Sequence, residues 1–172
     1  MSDAVRPAVA TIRVATAGDL AYVLDRQKQF SNQVGFIPKH TTELYIQREK
    51  VWVAEINGQP IGALIATGGE RCPLVFRCNM VEKELWEQGW GRAFTDWLRQ
   101  SPCSNRWGGV KVRTRRDLTA QYHINSEQGG KVLSTTPPGV RGFPVDEWWL
   151  PFDVTSPIFV PPKNTLIHII ED

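Results

Sequence analysis

An apolar, strand-like run from Leu74 to Val81 leads through Glu82–Gln88 into a glycine pair, Gly89 and Gly91, and from there into an amphipathic helix. This order constrains the fold more than any other part of the chain. Ala93, Phe94, Trp97 and Leu98 fall at spacings of one, four and five residues and share one helix face, with Arg92, Thr95, Asp96 and Arg99 turned elsewhere. Such a helix is expected to lie on a sheet. Gly89 and Gly91 have no Cβ, so a ligand can approach the backbone closely, and the first N–H groups of the helix have no intrahelical acceptor. The helix dipole and Arg92 add positive charge at the same end. Gln88, Gly89, Trp90, Gly91 and Arg92 are therefore candidates for a pyrophosphate shell. The alternative is a glycine turn that only starts a helix.

The segments on either side supply the rest of an α/β or α+β domain with a mixed sheet. Thr11–Val14 is β-prone, and Thr16-Ala17-Gly18-Asp19 opens a helix through Leu20, Val23 and Leu24. Residues 32–40 read as loop, with Thr42–Lys50 as a second short helix. Val51–Ile56, Asn57-Gly58 and Gln59–Ala66 form the clearest hairpin, because Asn-Gly accepts the positive φ angles of a tight turn. Val110–Thr114 follows as a strand, and Asp117 is a plausible N-cap for a helix ending near Ser126 before Gly129-Gly130. Lys131–Thr135 and Thr165–Ile170 are further strands. Residues 137–162 hold seven of the 12 prolines together with Phe143, Trp148, Trp149, Phe152 and Phe159. Aromatics need burial, so 137–163 is expected to be an ordered, irregular insertion before the last strand, with a partner-binding surface as the alternative. Residues 1–10 are expected to be a flexible tail, and 1–172 a single domain.

Bulk properties exclude several classes. Twenty basic and 18 acidic side chains are too balanced to imply nucleic-acid binding. Cys72, Cys78 and Cys103 form no Cys-x-x-Cys pair, so no metal is expected, and their odd number suits a reducing, cytosolic compartment. No apolar run approaches the roughly 18 residues that span a bilayer, and no membrane partner is expected.

Four stretches resemble the Gcn5-related N-acetyltransferase (GNAT) superfamily, over roughly Thr11 to Leu133. Ile12-Arg13-x-Ala15-Thr16-x-x-Asp19-Leu20 is similar to the opening of that family, and Val53-Ala54-Glu55-x-Asn57-Gly58-x-x-Ile61-Gly62 to its second and third strands. Trp86-Glu87-Gln88-Gly89-Trp90-Gly91 is similar to its pyrophosphate motif, with Trp86 where the family carries Arg or Gln. Asp117-x-x-Ala120-Gln121-Tyr122-His123 falls at the family's Asn-x-x-Ala, although Gly129 comes one residue late and no Phe follows it.

The resemblance implies an acetyltransferase that moves an acetyl group from acetyl-CoA to an amine of a small molecule, peptide or protein, by direct attack in a ternary complex. It implies that Asn79, Met80 and Val81 pair with the pantetheine amides, and that a helix tyrosine protonates the leaving thiolate. The family spacing lands on Ile124, and Tyr122 is the nearest phenol, with His123 next to it. Tyr122 is either that acid or a packed aromatic. Glu82 beside the coenzyme strand and Glu55 in the hairpin are each either the base for the amine or a solvated carboxylate, and Cys72 and Cys78 are expected to be plain thiols. The acceptor site would fall at Val34–Lys39 and within Thr136–Pro162. Arg113, Arg115 and Arg116, near Trp107, form either a solvated basic turn or a contact for ribose phosphate or nucleic acid. Two alternatives stay open: a non-catalytic interaction protein on the same fold, and an enzyme that modifies nucleic acid. The oligomeric expectation is monomer or homodimer.

Overall fold

The structure, a computed structural model, describes residues 8–69, 72–85, 93–100, 108–138, 142–152 and 165–169. The described strands are β1 (Ala8–Val14), β2 (Val51–Ile56), β3 (Gln59–Thr67), β4 (Leu74–Val81), β5 (Gly109–Arg115), β6 (Lys131–Thr136), β7 (Val145–Pro151) and β8 (Thr165–Ile169). The helices are α1 (Leu20–Gln29), α2 (Ser31–Val34), α3 (Lys39–Gln47), α4 (Ala93–Gln100) and α5 (Thr119–Glu127). The strands hydrogen-bond in the order β6-β7-β5-β4-β3-β2-β1-β8 and mix parallel with antiparallel pairs. Two compact units divide the chain: Met1–Ile65, Cys78–Trp97 and Phe159–Asp172 form one, and Ala66–Arg77 and Leu98–Ile158 the other.

In the first unit, β2 and β3 form the expected hairpin. Asn57 and Gly58 have φ of 52° and 77°, the left-handed pair that an Asn-Gly turn supplies. Val51 pairs with Ile65 and Val53 with Ala63, so period-two alternation puts all four on one face. They join Cys78 and Met80 of β4 beneath Val23 and Phe30 at α1 and Ile46 of α3. Each large apolar side chain fully buried there contributes about 1.5–3 kcal/mol. Trp52 points to the opposite face, where its ring centroid lies 6.3 Å from that of Trp97 on α4. β1 sits between β2, antiparallel, and β8, parallel. Ala8–Ala10 therefore belong to a strand paired on both sides, whereas the sequence suggests a tail up to residue 10.

The loop expected at 32–40 is shorter than its composition suggests. α2 occupies Ser31–Val34, and α3 starts at Lys39, directly after Pro38. A proline without an N–H loses nothing at the edge of a helix, where donors have no intrahelical acceptor. Inside, the fully buried Gln27 receives the Ile37 N–H on Oε1 at 2.9 Å and donates from Nε2 to Thr42 Oγ1 at 3.1 Å. One side chain of α1 thus fixes both the approach to α3 and α3 itself.

The second unit is built on β5. It pairs in parallel with β4 over Leu74–Phe76 and Val110–Val112, and antiparallel with β7 from Gly109↔Pro151 to Arg115↔Val145. β7 also pairs with β6. Val145–Pro151 is thus a regular interior strand, where the Pro/aromatic composition points to an irregular insertion. Its buried positions, Asp146, Trp148 and Leu150, alternate as a strand requires, but Asp146 breaks the apolar pattern that would reveal it. α5 is tied to β5 through Asn125 Nδ2, which donates to Thr114 Oγ1 at 2.9 Å. Leu118 stands at the N-cap of α5; Asp117 is engaged by Arg115 and does not cap the helix.

Candidate active site

β4 ends in the first unit with Asn79, Met80 and Val81, then Glu82 and a 3-10 turn, Lys83–Leu85. Met80 and Val81 bury their side chains, so it is their backbone that a ligand could use. The backbone of β3 presses close here, for a Cβ on Gly62 would lie 2.8 Å from the Met80 carbonyl oxygen. The Glu82 N–H donates to the Ile61 carbonyl at 2.8 Å and extends the strand contact by one residue.

Glu82 is not a solvated carboxylate. Its Oε1 accepts from the Tyr22 hydroxyl at 3.0 Å and from Arg26 Nη1 at 2.6 Å, and Arg26 Nη1 also reaches Oε2 at 2.5 Å. Tyr22 and Arg26 stand four residues apart on α1, one turn above each other. Burial, and then the negative charge of Glu82, push the Tyr22 phenol well above its ordinary range, so Tyr22 stays a hydrogen-bond donor. Neither residue stands out in the sequence. The usable signal is their i, i+4 spacing off the apolar stripe of Leu20 and Val23.

Glu55, the other candidate base, accepts from Arg13 Nη2 at 2.6 Å and from Nε at 3.2 Å. The same guanidinium holds Asp19. Glu55 is thus a member of a structural ion network on β1 and β2.

In the second unit Tyr122 and His123 line an open hollow of about 400 Å³ with Arg116 and Thr119. Tyr122 is 38% exposed, and its ring meets the buried Trp148 edge-on with centroids 4.7 Å apart. Its ring is thus packed on one side and exposed on the other. The arginines nearby are all paired: Arg113 with Glu147, Arg115 with Asp117, and Arg116 with Asp146. Arg116 Nη2 also donates to Thr135 Oγ1, which in turn donates to Asp146 Oδ1 at 2.7 Å. Three arginines each matched to a carboxylate do not make a basic patch.

Cys78 is a buried thiol and Cys72 an exposed one. Gln88, Gly89, Trp90, Gly91 and Arg92, with Trp86, lie outside the described residues, as do Cys103 and Trp107. α4 follows directly at Ala93, and Phe94, Trp97 and Leu98 are buried as the periodicity predicts; Thr95 and Asp96 are buried as well, so the helix is covered on more than its apolar stripe. Among the described residues, no helix is long and apolar enough to cross a membrane.

No family model matches the chain, and no curated protein matches it in sequence. Solved structures do match in shape. The ribosomal-protein-S18-alanine N-acetyltransferase of Escherichia coli is 16% identical, with 88% of this chain and 99% of that chain covered and a TM-score of 0.69. The Salmonella typhimurium protein yncA, solved with its cofactor acetyl-CoA, is also 16% identical, with 88% and 98% covered and a TM-score of 0.69. A spermidine N-acetyltransferase SpeG chimera from Vibrio cholerae and hSSAT is 13% identical, with 83% and 95% covered and a TM-score of 0.67. At such low identity what is common is the architecture, and it is that of the sequence resemblance: this chain has the fold of the Gcn5-related N-acetyltransferases.

Proposed function

We propose that this protein is an amine N-acetyltransferase that draws on acetyl-CoA and works as one GNAT-like domain over residues 1–172, in the cytosol. The observation that carries the reading is the end of β4. There a strand with buried side chains, closely backed by Gly62, delivers a carboxylate, Glu82, into the grip of two donors from α1. Asn79, Met80 and Val81 lie further along β4 than its pairing with β5 at Leu74–Phe76, and their backbone suits the extended amides of pantetheine. Gln88, Gly89, Trp90, Gly91 and Arg92, leading into α4, suit the pyrophosphate.

Acetyl-CoA would supply an activated thioester carbonyl. The chain then has three tasks: to place that carbonyl, to take a proton from the amine, and to stabilise the negative charge that gathers on oxygen. Backbone N–H near Val81 would polarise the carbonyl oxygen and Glu82 would accept the amine proton. Tyr122 is the phenol that would return a proton to the thiolate. The acceptor is an amine, the group common to the ribosomal-protein alanine and the spermidine named for two of the structural neighbours. Which amine is used depends on segments such as Val34–Lys39.

Calorimetric titration with acetyl-CoA tests the reading directly. Micromolar binding is expected, abolished by Gly89→Glu or Gly91→Glu, which set a side chain and a negative charge where phosphate must sit. The absence of any heat or thermal shift at millimolar acetyl-CoA would refute it. Turnover is then sought on spermidine, an alanyl peptide and a lysyl peptide.

A further inference from the structure

The two oxygens of Glu82 are loaded unequally. Oε1 accepts two hydrogen bonds, from Tyr22 Oη at 3.0 Å and Arg26 Nη1 at 2.6 Å, whereas Oε2 accepts one, from Arg26 Nη1 at 2.5 Å. A carboxylate oxygen offers two in-plane lone pairs. Among the described residues, those of Oε1 are both engaged and one of those of Oε2 is not. Arg26 is itself held: Nη2 donates to Asp25 Oδ2 at 2.5 Å, and the guanidinium carbon lies 5.3 Å from the centroid of the Tyr22 ring. The Arg26 side chain is only 12% exposed, so this fork is packed in place and does not sweep through solvent.

Resting on the acetyltransferase reading above, we propose that Tyr22 and Arg26 are positioning residues that lock Glu82 so that the open lone pair of Oε2 takes the proton of the acceptor amine. The amine nitrogen forms its bond to the acetyl carbon, the carbon–sulfur bond breaks with its electron pair going to sulfur, and the nitrogen-bound proton passes to Oε2. The Glu82 side chain is 25% exposed, so the proton can leave to water before the next cycle. Arg26 holds the carboxylate in place, and Tyr22 fixes which oxygen is left open. Among the described residues, the charged and titratable groups facing Glu82 are Tyr22, Arg26 and, across Arg26, Asp25, all on α1. Lys83 and Glu84, next in the chain, are exposed.

The experiment compares wild type with Tyr22→Phe, Arg26→Met, Arg26→Lys and Glu82→Gln, measuring kcat and KM across pH, acetyl-CoA affinity by calorimetry and folding by thermal melting. The acceptors are spermidine, the alanyl peptide and the lysyl peptide. Acetyl-CoA affinity is expected to stay within about twofold throughout, since none of these side chains is assigned to the coenzyme. Glu82→Gln should lower kcat by about 100-fold, the scale of a lost general base. Tyr22→Phe should lower it by about tenfold, the scale of one hydrogen bond to a charged group. In Tyr22→Phe and Arg26→Met kcat should fall while the KM for the amine and the melting temperature hold, because the carboxylate is still present but no longer fixed in place. Arg26→Lys should restore part of the lost kcat. Wild-type kcat in Glu82→Gln overturns the proposal, as does wild-type kcat in Tyr22→Phe and Arg26→Met, which would mark the cluster as packing alone. A wild type that binds acetyl-CoA but acetylates none of the three amines also overturns it and leaves coenzyme binding standing. A wild type that does not bind acetyl-CoA overturns the reading beneath it.

Discussion

Arg13 and Asp19 meet through two parallel hydrogen bonds, Nη1 to Oδ2 at 2.7 Å and Nη2 to Oδ1 at 2.8 Å. The arrangement is a fork on a carboxylate, the strong form of an ion pair. It ties β1 to the first turn of the helical layer, and the reach of Arg13 to Glu55 adds β2. The Thr16 N–H donates to Asp19 Oδ2 at 2.8 Å and closes the helix start.

A pH dependence of stability follows. The hydrogen bonds from Arg13 hold the Asp19 carboxyl below its ordinary value, against the opposing effect of burial and with help from Thr16. Because the folded state binds the proton less readily than the unfolded chain, the stabilisation is fully present above the unfolded value of about 3.9 and is lost as pH falls through the folded value. Asp19→Asn should cost about 2 kcal/mol near neutrality. Urea unfolding of both proteins from pH 7 to pH 2.5 checks this: the gap between them should hold down to about pH 4 and narrow below it. A gap independent of pH would show that the charge of Asp19 does not matter.

Gln27 leads to a second prediction. Its two bonds, to the Ile37 N–H and Thr42 Oγ1, are made in the interior, so Gln27→Met strands a buried donor. The expected loss is about 2–3 kcal/mol, the desolvation cost of an unsatisfied buried group together with a lost bond. Denaturant midpoints measure it, and Gln27→Glu should lose at least as much, because it puts a carboxylate in a fully buried position. Wild-type stability in Gln27→Met would show that neither bond matters.

The difference between Gln27 and the hairpin explains what could be read from the sequence alone. The Asn57-Gly58 turn, the alternation of β2 and the span of β4 are local, so neighbouring residues carry the whole signal. Asp146 is not local. It is buried in β7 because Arg116 and Thr135, 30 and 11 residues away, satisfy it. Without those partners a carboxylate in a proline-rich stretch looks like loop. Asp117 fails as an N-cap for a different reason: a local competitor, Arg115, two residues back, engages its carboxylate. Glu82 was visible as a carboxylate beside a glycine turn, but its partners lie 60 and 56 residues earlier, on a helix whose apolar stripe gave no hint of them. Sequence periodicity reports which face is buried; it does not report which polar groups meet across the fold.

Tyr122 separates packing from chemistry. The ring contact with Trp148 survives Tyr122→Phe, so stability should stay within about 0.5 kcal/mol of wild type. If the hydroxyl returns a proton to the thiolate, kcat falls while acetyl-CoA affinity is unchanged. The comparison of kcat with the calorimetric Kd decides it, and a full wild-type kcat would leave Tyr122 a packed aromatic. His123→Gln serves as the parallel test of the imidazole in the hollow.

Gly62 offers the sharpest link between fold and site. A Cβ at this position would stand 2.8 Å from the Met80 carbonyl oxygen and 3.3 Å from Val81 Cγ2, and the first of these is backbone that cannot swing aside. In Gly62→Ala, β4 must therefore shift at the two residues whose backbone is assigned to pantetheine. The global penalty should be about 1–3 kcal/mol, typical of overpacking. Gln27→Met is expected to lose as much stability without touching β4, which makes it the control. If β4 holds the coenzyme, Gly62→Ala weakens acetyl-CoA binding by about tenfold or more, the equivalent of one hydrogen bond, while Gln27→Met binds as wild type does. Equal affinities in the two variants, measured by calorimetry well below their melting temperatures, would remove Met80 and Val81 from the coenzyme site.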